Sequence, residues 1–147
     1  MASITSTQTK AQALLSQHGL AAQGWTFKWD NARKRGGLCN HTYRQISMSR
    51  HLVPIWEEDA VMQILAHEIA HALVGAGHGH DYTWLSQARA LGYTGGRTHS
   101  VPTIKGQWNA VCAVHGQGTR RYHRRRNLIC GRCNARGVVS KLTYVLA

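Results

Sequence analysis

Apolar and polar positions follow two rhythms along the chain. Over residues 7–18, Ala11, Ala13, Leu14 and Leu15 recur among polar neighbours, which predicts a short helix ending near Gly19. Trp25-Thr26-Phe27-Lys28-Trp29-Asp30 then alternates with a period of two, as a half-buried strand does. Residues 31–37 read as a basic, glycine-ended turn. A second strand follows over 42–49, with Tyr43, Gln45 and Ser47 on one face and Arg44, Ile46 and Met48 on the other. The two strands are expected to pair as a hairpin. Pro54 opens a longer helix with Glu57, Glu58 and Asp59 in its first turn, where the helix dipole favours acids. Its body carries Val61, Ile64, Leu65, Ile69, Ala72 and Leu73, and Gly75 is its stop. A further helix over 82–91 turns Trp84, Leu85, Ala88 and Leu91 inward and ends at Gly92. Periodicity lapses over 93–107, which reads as a linker containing Gly95 and Gly96.

A chain of 147 residues can bury one modest core plus a small module stapled by other means. No apolar run approaches the roughly 20 residues that cross a bilayer, and the start lacks a basic, then apolar, leader. A soluble, cytoplasmic monomer is therefore expected. Charge divides unevenly. Residues 1–82 hold seven Lys/Arg and all six Asp/Glu, whereas residues 83–147 hold eleven Lys/Arg and no acid. Such a polycation binds phosphate backbones by releasing counterions, so a nucleic acid is the expected partner, read without base specificity. Its densest part is Arg120, Arg121, Arg124, Arg125 and Arg126. Tyr122 and Trp108 are nearby aromatics with a face for an unpaired base.

The chemistry concentrates in His67-Glu68-Ile69-Ala70-His71, followed nine residues later by His80. Histidines four apart share one helix face and can close on one metal, while Glu68 stands beside the ligands. Three protein ligands leave zinc an open position for an acidified water, and a carboxylate next to it is a general base. The pattern points to a zinc metallopeptidase with His67, His71 and His80 as ligands and Glu68 as base. A second set, Cys112-Ala-Val-His115 and Cys130-Gly-Arg-Cys133, has the paired spacing of a closed structural zinc site, with His123 as an alternative to His115. Residues 108–147 are too few for a core of their own, and zinc would supply the missing folding free energy. Cys39 stands apart and reads as a small buried residue.

Taken in order, these residues resemble the SprT-like domain family, which includes the Spartan proteases. The matching features are the Gly37-Leu38-Cys39 turn, the strand Gln45-Ile46-Ser47-Met48-Ser49, the HEIAH helix, His80 with Trp84 four residues on, and the basic zinc ribbon. A compact bacterial or phage version is the nearest description. The resemblance implies an α+β fold: a zincin-like metallopeptidase domain over 1–92, with helices and a small antiparallel sheet, a linker over 93–107, and a basic zinc ribbon over 108–147. It also implies a zinc endopeptidase acting on proteins bound or crosslinked to DNA, with DNA engagement controlling cleavage. Here His80 is followed by Asp81, and His78-Gly79 offers a competing register. Trp84 matches the family's aromatic and favours His80, leaving Asp81 to orient an imidazole. The peptide is expected to pair along the strand over 42–49.

Other classes remain in view. A zinc-stabilised nucleic-acid-binding protein without peptidase activity would have no use for Glu68. A cell-wall peptidase would need delivery outside the cell, and a nuclease would need a carboxylate cluster for its metals, which this motif lacks.

Overall fold

The computed structural model describes residues 1–98, 102–116 and 118–147. It is a mixed α+β chain in two compact units, Met1–Ile104 and Lys105–Ala147. Part of the expected linker, residues 99–101, lies outside the described residues.

In the first unit, helix α1 (Ile4–Gln17) starts earlier than the apolar pattern predicts, because the Ser3 hydroxyl caps it by accepting the Ser6 N–H at 3.3 Å. Three strands follow: β1 (Thr26–Asp30), β2 (Gly37–Asn40) and β3 (Gln45–Ser49), in the order β1-β3-β2. The expected hairpin between the first and last of these does not form. β1 and β3 run parallel, Thr26 opposite Gln45 and Asp30 opposite Ser49, and the hairpin is β2 with β3. The sheet is mixed rather than antiparallel, and Gly37-Leu38-Cys39 is strand rather than turn. The reason lies in β3, where Ile46, Ser47, Met48 and Ser49 are all buried. A strand buried on both faces takes the centre, and the half-exposed β1 flanks it. Having neighbours on both sides, β3 offers no free edge to a peptide along 42–49; the edge strand on that side is β2.

Pro54 does not open the long helix. It sits in a 3-10 turn (Val53–Ile55), after which Trp56 is extended. Helix α2 (Glu58–Val74) begins beyond it. Val61, Ile64, Leu65, Ala66, Ile69, Ala70 and Ala72 are all buried, so α2 is the central helix of the unit. Gly75, at φ 90°, ends it in a backbone conformation that favours glycine. Helix α3 (Tyr82–Ala90) is capped by Asp81, whose carboxylate accepts the Trp84 N–H at 2.9 Å.

The start of the expected linker is instead part of this unit. Tyr93 is buried and its hydroxyl donates to the Gly96 carbonyl at 2.9 Å. The Thr94 N–H bonds Gln63 on α2, and Trp56 Nε1 donates to the Pro102 carbonyl. Gly95 is required by this packing, since a Cβ there would collide with the Tyr93 ring. No helix among the described residues is long and apolar enough to cross a membrane.

The second unit is an antiparallel sheet of β4 (Trp108–Cys112), β5 (Gly118–Arg121) and β6 (Leu142–Leu146), ordered β5-β4-β6, with a single helical turn α4 (Gly131–Asn134). Its buried centre is small: Cys112, Cys130 and Cys133 with Leu142 packed against them. So little apolar area leaves the cysteine cluster as the element that ties the strands together.

Candidate metal centres

The helical repeat of α2 places His67 and His71 one turn apart on the same face, and the turn after Gly75 returns His80 to them. The His80 Nε2 stands 3.0 Å from the Nε2 atoms of both His67 and His71. Three nitrogens on one tetrahedral zinc at its usual bond length stand about 3.3 Å apart, so this donor set fits that ion. Beneath the imidazoles lies Trp84, fully buried. Its ring stacks on His71 at 5.2 Å, meets His67 and His80 edge-on at 4.6 Å each, and its Nε1 donates to the His67 carbonyl. His78 is not in the cluster. Its Nδ1 lies 2.7 Å from Asp81 Oδ2, so Asp81 contacts His78 and caps α3 rather than orienting a ligand.

Glu68 is only 6% exposed, facing β2. Burial pushes its carboxyl up to about 7, against the pull of the Arg35 charge and a hydrogen bond from the Cys39 N–H. Arg35 is itself anchored by a 2.9 Å ion pair to Asp30. A Cβ on Gly37 would stand 2.8 Å from Glu68 Cγ and 2.9 Å from its Oε1, so β2 reaches the carboxylate only because residue 37 has no side chain. His71 is driven the other way, down to about 4, by burial and then by the nearby His80 and His41 charges.

The pattern of the chain did not single out Gly37 or Tyr93 as site residues. Tyr93 packs its ring edge-on to His67 at 5.4 Å. A Gly36-Gly37 pair ahead of an apolar residue was the available signal for close backbone approach. Nothing in the local pattern marks Tyr93. Cys39 is half-buried on β2, with its thiol pushed up to about 12 by burial and then by the Glu68 charge.

In the second unit Cys112, His115, Cys130 and Cys133 converge. His115 Nδ1 stands 3.5, 3.5 and 3.6 Å from the Sγ atoms of Cys112, Cys130 and Cys133, and Cys112 Sγ lies 3.7 Å from that of Cys133. Tetrahedral zinc with its usual Zn–S and Zn–N bonds separates such atoms by about 3.6–3.8 Å, so this set fits as a closed site. His115, not His123, supplies the imidazole. The Ser140 hydroxyl, 3.5 Å away, and backbone N–H groups pull the Cys112 thiol down to about 5. Burial and the adjoining thiols push Cys133 up to about 11, a crowding that a cation relieves.

The arginines lie on one stretch of this unit. Arg120, Arg121, Arg124, Arg125 and Arg126 are exposed, on β5 and the loop after it. Arg120 Nη1 bonds the Gly106 carbonyl, and the Tyr144 hydroxyl bonds both backbone groups of Arg125. The Arg124 guanidinium lies 4.5 Å over the Trp108 ring and covers one of its faces.

A buried helix that carries HExxH and closes on a third histidine makes this an α+β protein with a candidate hydrolytic metal centre. The sequence matches the SprT-like family over residues 6–105, and the chain belongs to that family. The family is associated with zinc metallopeptidase domains. No curated protein matched the chain.

Proposed function

We propose that this protein is a zinc-dependent endopeptidase of zincin-like fold that cleaves proteins bound or crosslinked to DNA. The observation that carries the reading is the convergence of His67, His71 and His80, with the buried Glu68 next to His67 on α2 and packed against the edge strand β2. When bound, zinc at His67, His71 and His80 supplies Lewis acidity and a water acidified to a pKa of about 7. Glu68 accepts the proton of the attacking water and passes it to the leaving amine, acting as base and then as acid. Trp84 holds the three imidazoles in register from below. A substrate peptide adds to the free edge of β2, reading backbone more than side chains, so preference among cleavage sites is broad.

Restraint comes from the partner. Residues Lys105–Ala147 hold nine Lys/Arg and no acid, and Arg121, Arg124, Arg125 and Arg126 are exposed around β5. Phosphate contacts of this kind position a protein on DNA without reading sequence. Zinc at the Cys112, His115, Cys130 and Cys133 site stabilises the ribbon that bears them. The reading assigns the protein to the cytoplasm as a monomer, where thiolates stay reduced.

The test is hydrolysis of a basic DNA-binding protein by the zinc-loaded chain, with and without single-stranded or duplex DNA. Cleavage that rises with DNA is expected. DNA binding without cleavage in any condition would instead favour a zinc-stabilised nucleic-acid-binding protein. Neutralising the Arg120–Arg126 cluster should lower the salt slope of DNA binding by about 0.9 per arginine in contact.

A further inference from the structure

The two faces of the first unit's sheet differ. Phe27 and Trp29 on β1, with Ile46 and Met48 on β3, pack into the apolar core. Thr26, Lys28 and Asp30, opposite Gln45, Ser47 and Ser49, alternate to the other face. Residues 31–36 fold back over that face and are pinned there by Asp30. The Ala32 N–H bonds Asp30 Oδ1 at 2.9 Å, while Oδ2 accepts the Ser47 hydroxyl at 2.8 Å and Arg35 Nη2 at 2.9 Å. The Ser49 hydroxyl donates to the Ala32 carbonyl from the same face.

This loop brings three cations, Arg33, Lys34 and Arg35, to a place that already has two. Lys28 lies two residues before Asp30 on the same face, about 7 Å along β1. Arg50 follows β3, its N–H bonding the Asp30 carbonyl at 3.0 Å. Five positive charges therefore gather near one carboxylate, and that carboxylate is already engaged by Ala32, Ser47 and Arg35. Residues 31–56 contain no acid. Elsewhere in the unit, Glu58 pairs with Lys10 and Asp81 with His78, and Glu68 is buried on the core side of the sheet. Lys28 and Arg50 are exposed, and among the described residues their side chains make no ion pair or hydrogen bond.

The chemistry of this surface selects its partner. Protein interfaces are anchored by a central apolar or aromatic cluster. Here the exposed side chains are polar: Lys28, Asn31, Lys34, Arg35 and Arg50. The exposed Leu38 on this face belongs to β2, the other edge of the sheet. A phosphate backbone needs no apolar anchor, since it is held by cations and released counterions.

We propose that Lys28, the loop of residues 31–35 and Arg50 form a contact for the phosphate backbone of DNA on the peptidase unit itself, separate from the arginines of the ribbon and without base specificity. This rests on the DNA-linked reading above and deepens it. β1 stands two strand spacings, about 10 Å, from the β2 edge that the substrate peptide joins. The unit that cuts a DNA-bound protein thus grips the DNA close to the cut.

The experiment uses the zinc-loaded full chain with every ribbon arginine intact. Wild type is compared with Lys28→Gln/Arg50→Gln and with a control, Thr5→Glu/Gln12→Glu, which lowers the net charge by the same two units on exposed positions of α1. Affinity for a short DNA duplex is followed against salt, and backbone amide shifts of the wild type are followed as the duplex is added. We expect the salt slope to fall by about 1.8 in Lys28→Gln/Arg50→Gln, the control to keep the wild-type slope, and the amides of Lys28, Lys34 and Arg50 to move. A Lys28→Gln/Arg50→Gln slope equal to that of the control, unmoved amides at those residues, or a wild type that binds no duplex overturns the proposal. So does a double variant that loses affinity for polyglutamate and none for DNA, which would give the face to an acidic protein. Hydrolysis is scored separately: a wild type that cleaves nothing, while the double variant loses salt slope, refutes the peptidase reading and upholds the DNA contact.

Discussion

Gly37→Ala adds a single methyl group where β2 meets α2, and its consequences follow from three distances. The new carbon would stand 2.8 Å from Glu68 Cγ, 2.9 Å from Glu68 Oε1 and 2.9 Å from Ile64 Cγ2. Carbon atoms settle at about 3.5 Å or more, so β2 or the Glu68 side chain must retreat by about 0.7 Å. Overpacking of this kind costs about 1–3 kcal/mol, and Ile64, 1% exposed, has no solvent to move into. Glu68 is the softer neighbour and yields first, which weakens its hydrogen bond from the Cys39 N–H. A misplacement near 1 Å in a catalytic group costs about 100-fold in rate. Thermal unfolding followed at 222 nm, zinc content and peptide hydrolysis measure the three parts separately. The expected result is a lowered Tm, two zinc ions retained, and hydrolysis reduced by about two orders of magnitude. Wild-type Tm together with wild-type hydrolysis would show that β2 is not seated against Glu68, and the geometry of the base would have to be abandoned.

Asp30 carries an acid-dependent part of the stability. Burial raises its carboxyl, but the Ala32 N–H, the Ser47 hydroxyl and Arg35 outweigh that and leave it below the usual 3.8. A lowered folded pKa gives stability that is complete above the unfolded value and lost as pH falls through the folded one. Asp30→Asn should therefore cost about 1–2 kcal/mol in urea unfolding at pH 7, and the gap should close as pH falls below the usual carboxylate range; a gap that stays the same in acid counts against the network. Trp84→Ala empties the space under three imidazoles and should cost about 3–5 kcal/mol while weakening zinc binding at His67, His71 and His80. Unchanged zinc affinity in that variant would mean that the ligands are held without it. Cys133→Ser should release one zinc and collapse the amide dispersion of residues 105–147, because structural zinc sites contribute about 10–16 kcal/mol of apparent binding free energy. Helical signal from α1, α2 and α3 should persist, and retention of both zinc ions would contradict the closed Cys3His site.

Both metal sets are legible from local rules, because ligand spacing is a local property. His67 and His71 lie one helical turn apart, and the two Cys/His pairs each close on a turn. The choice of His80 over His78 needed Trp84 as a second marker. What alternation misread was strand order. Period-two patterning reports which faces are buried and says nothing about which strands are neighbours, so β1 and β3 looked like a hairpin when they pair in parallel. Gly36 and Gly37 have no side chains to show a pattern, and β2 was hidden behind them. Tyr93 is invisible for a related reason: it follows Gly92, past the end of α3, and its burial against His67 depends on contacts made through Trp84 and Gly95 rather than on any local period.

The central claim is that a zinc held by His67, His71 and His80 works with Glu68 to cut peptides. The measurement that bears on it most directly sets wild type beside Glu68→Gln, each assayed for bound zinc and for cleavage of the same DNA-bound basic protein. Two zinc ions in both proteins, with cleavage by the wild type alone, is the predicted result. Cleavage by a fully zinc-loaded Glu68→Gln protein would contradict it.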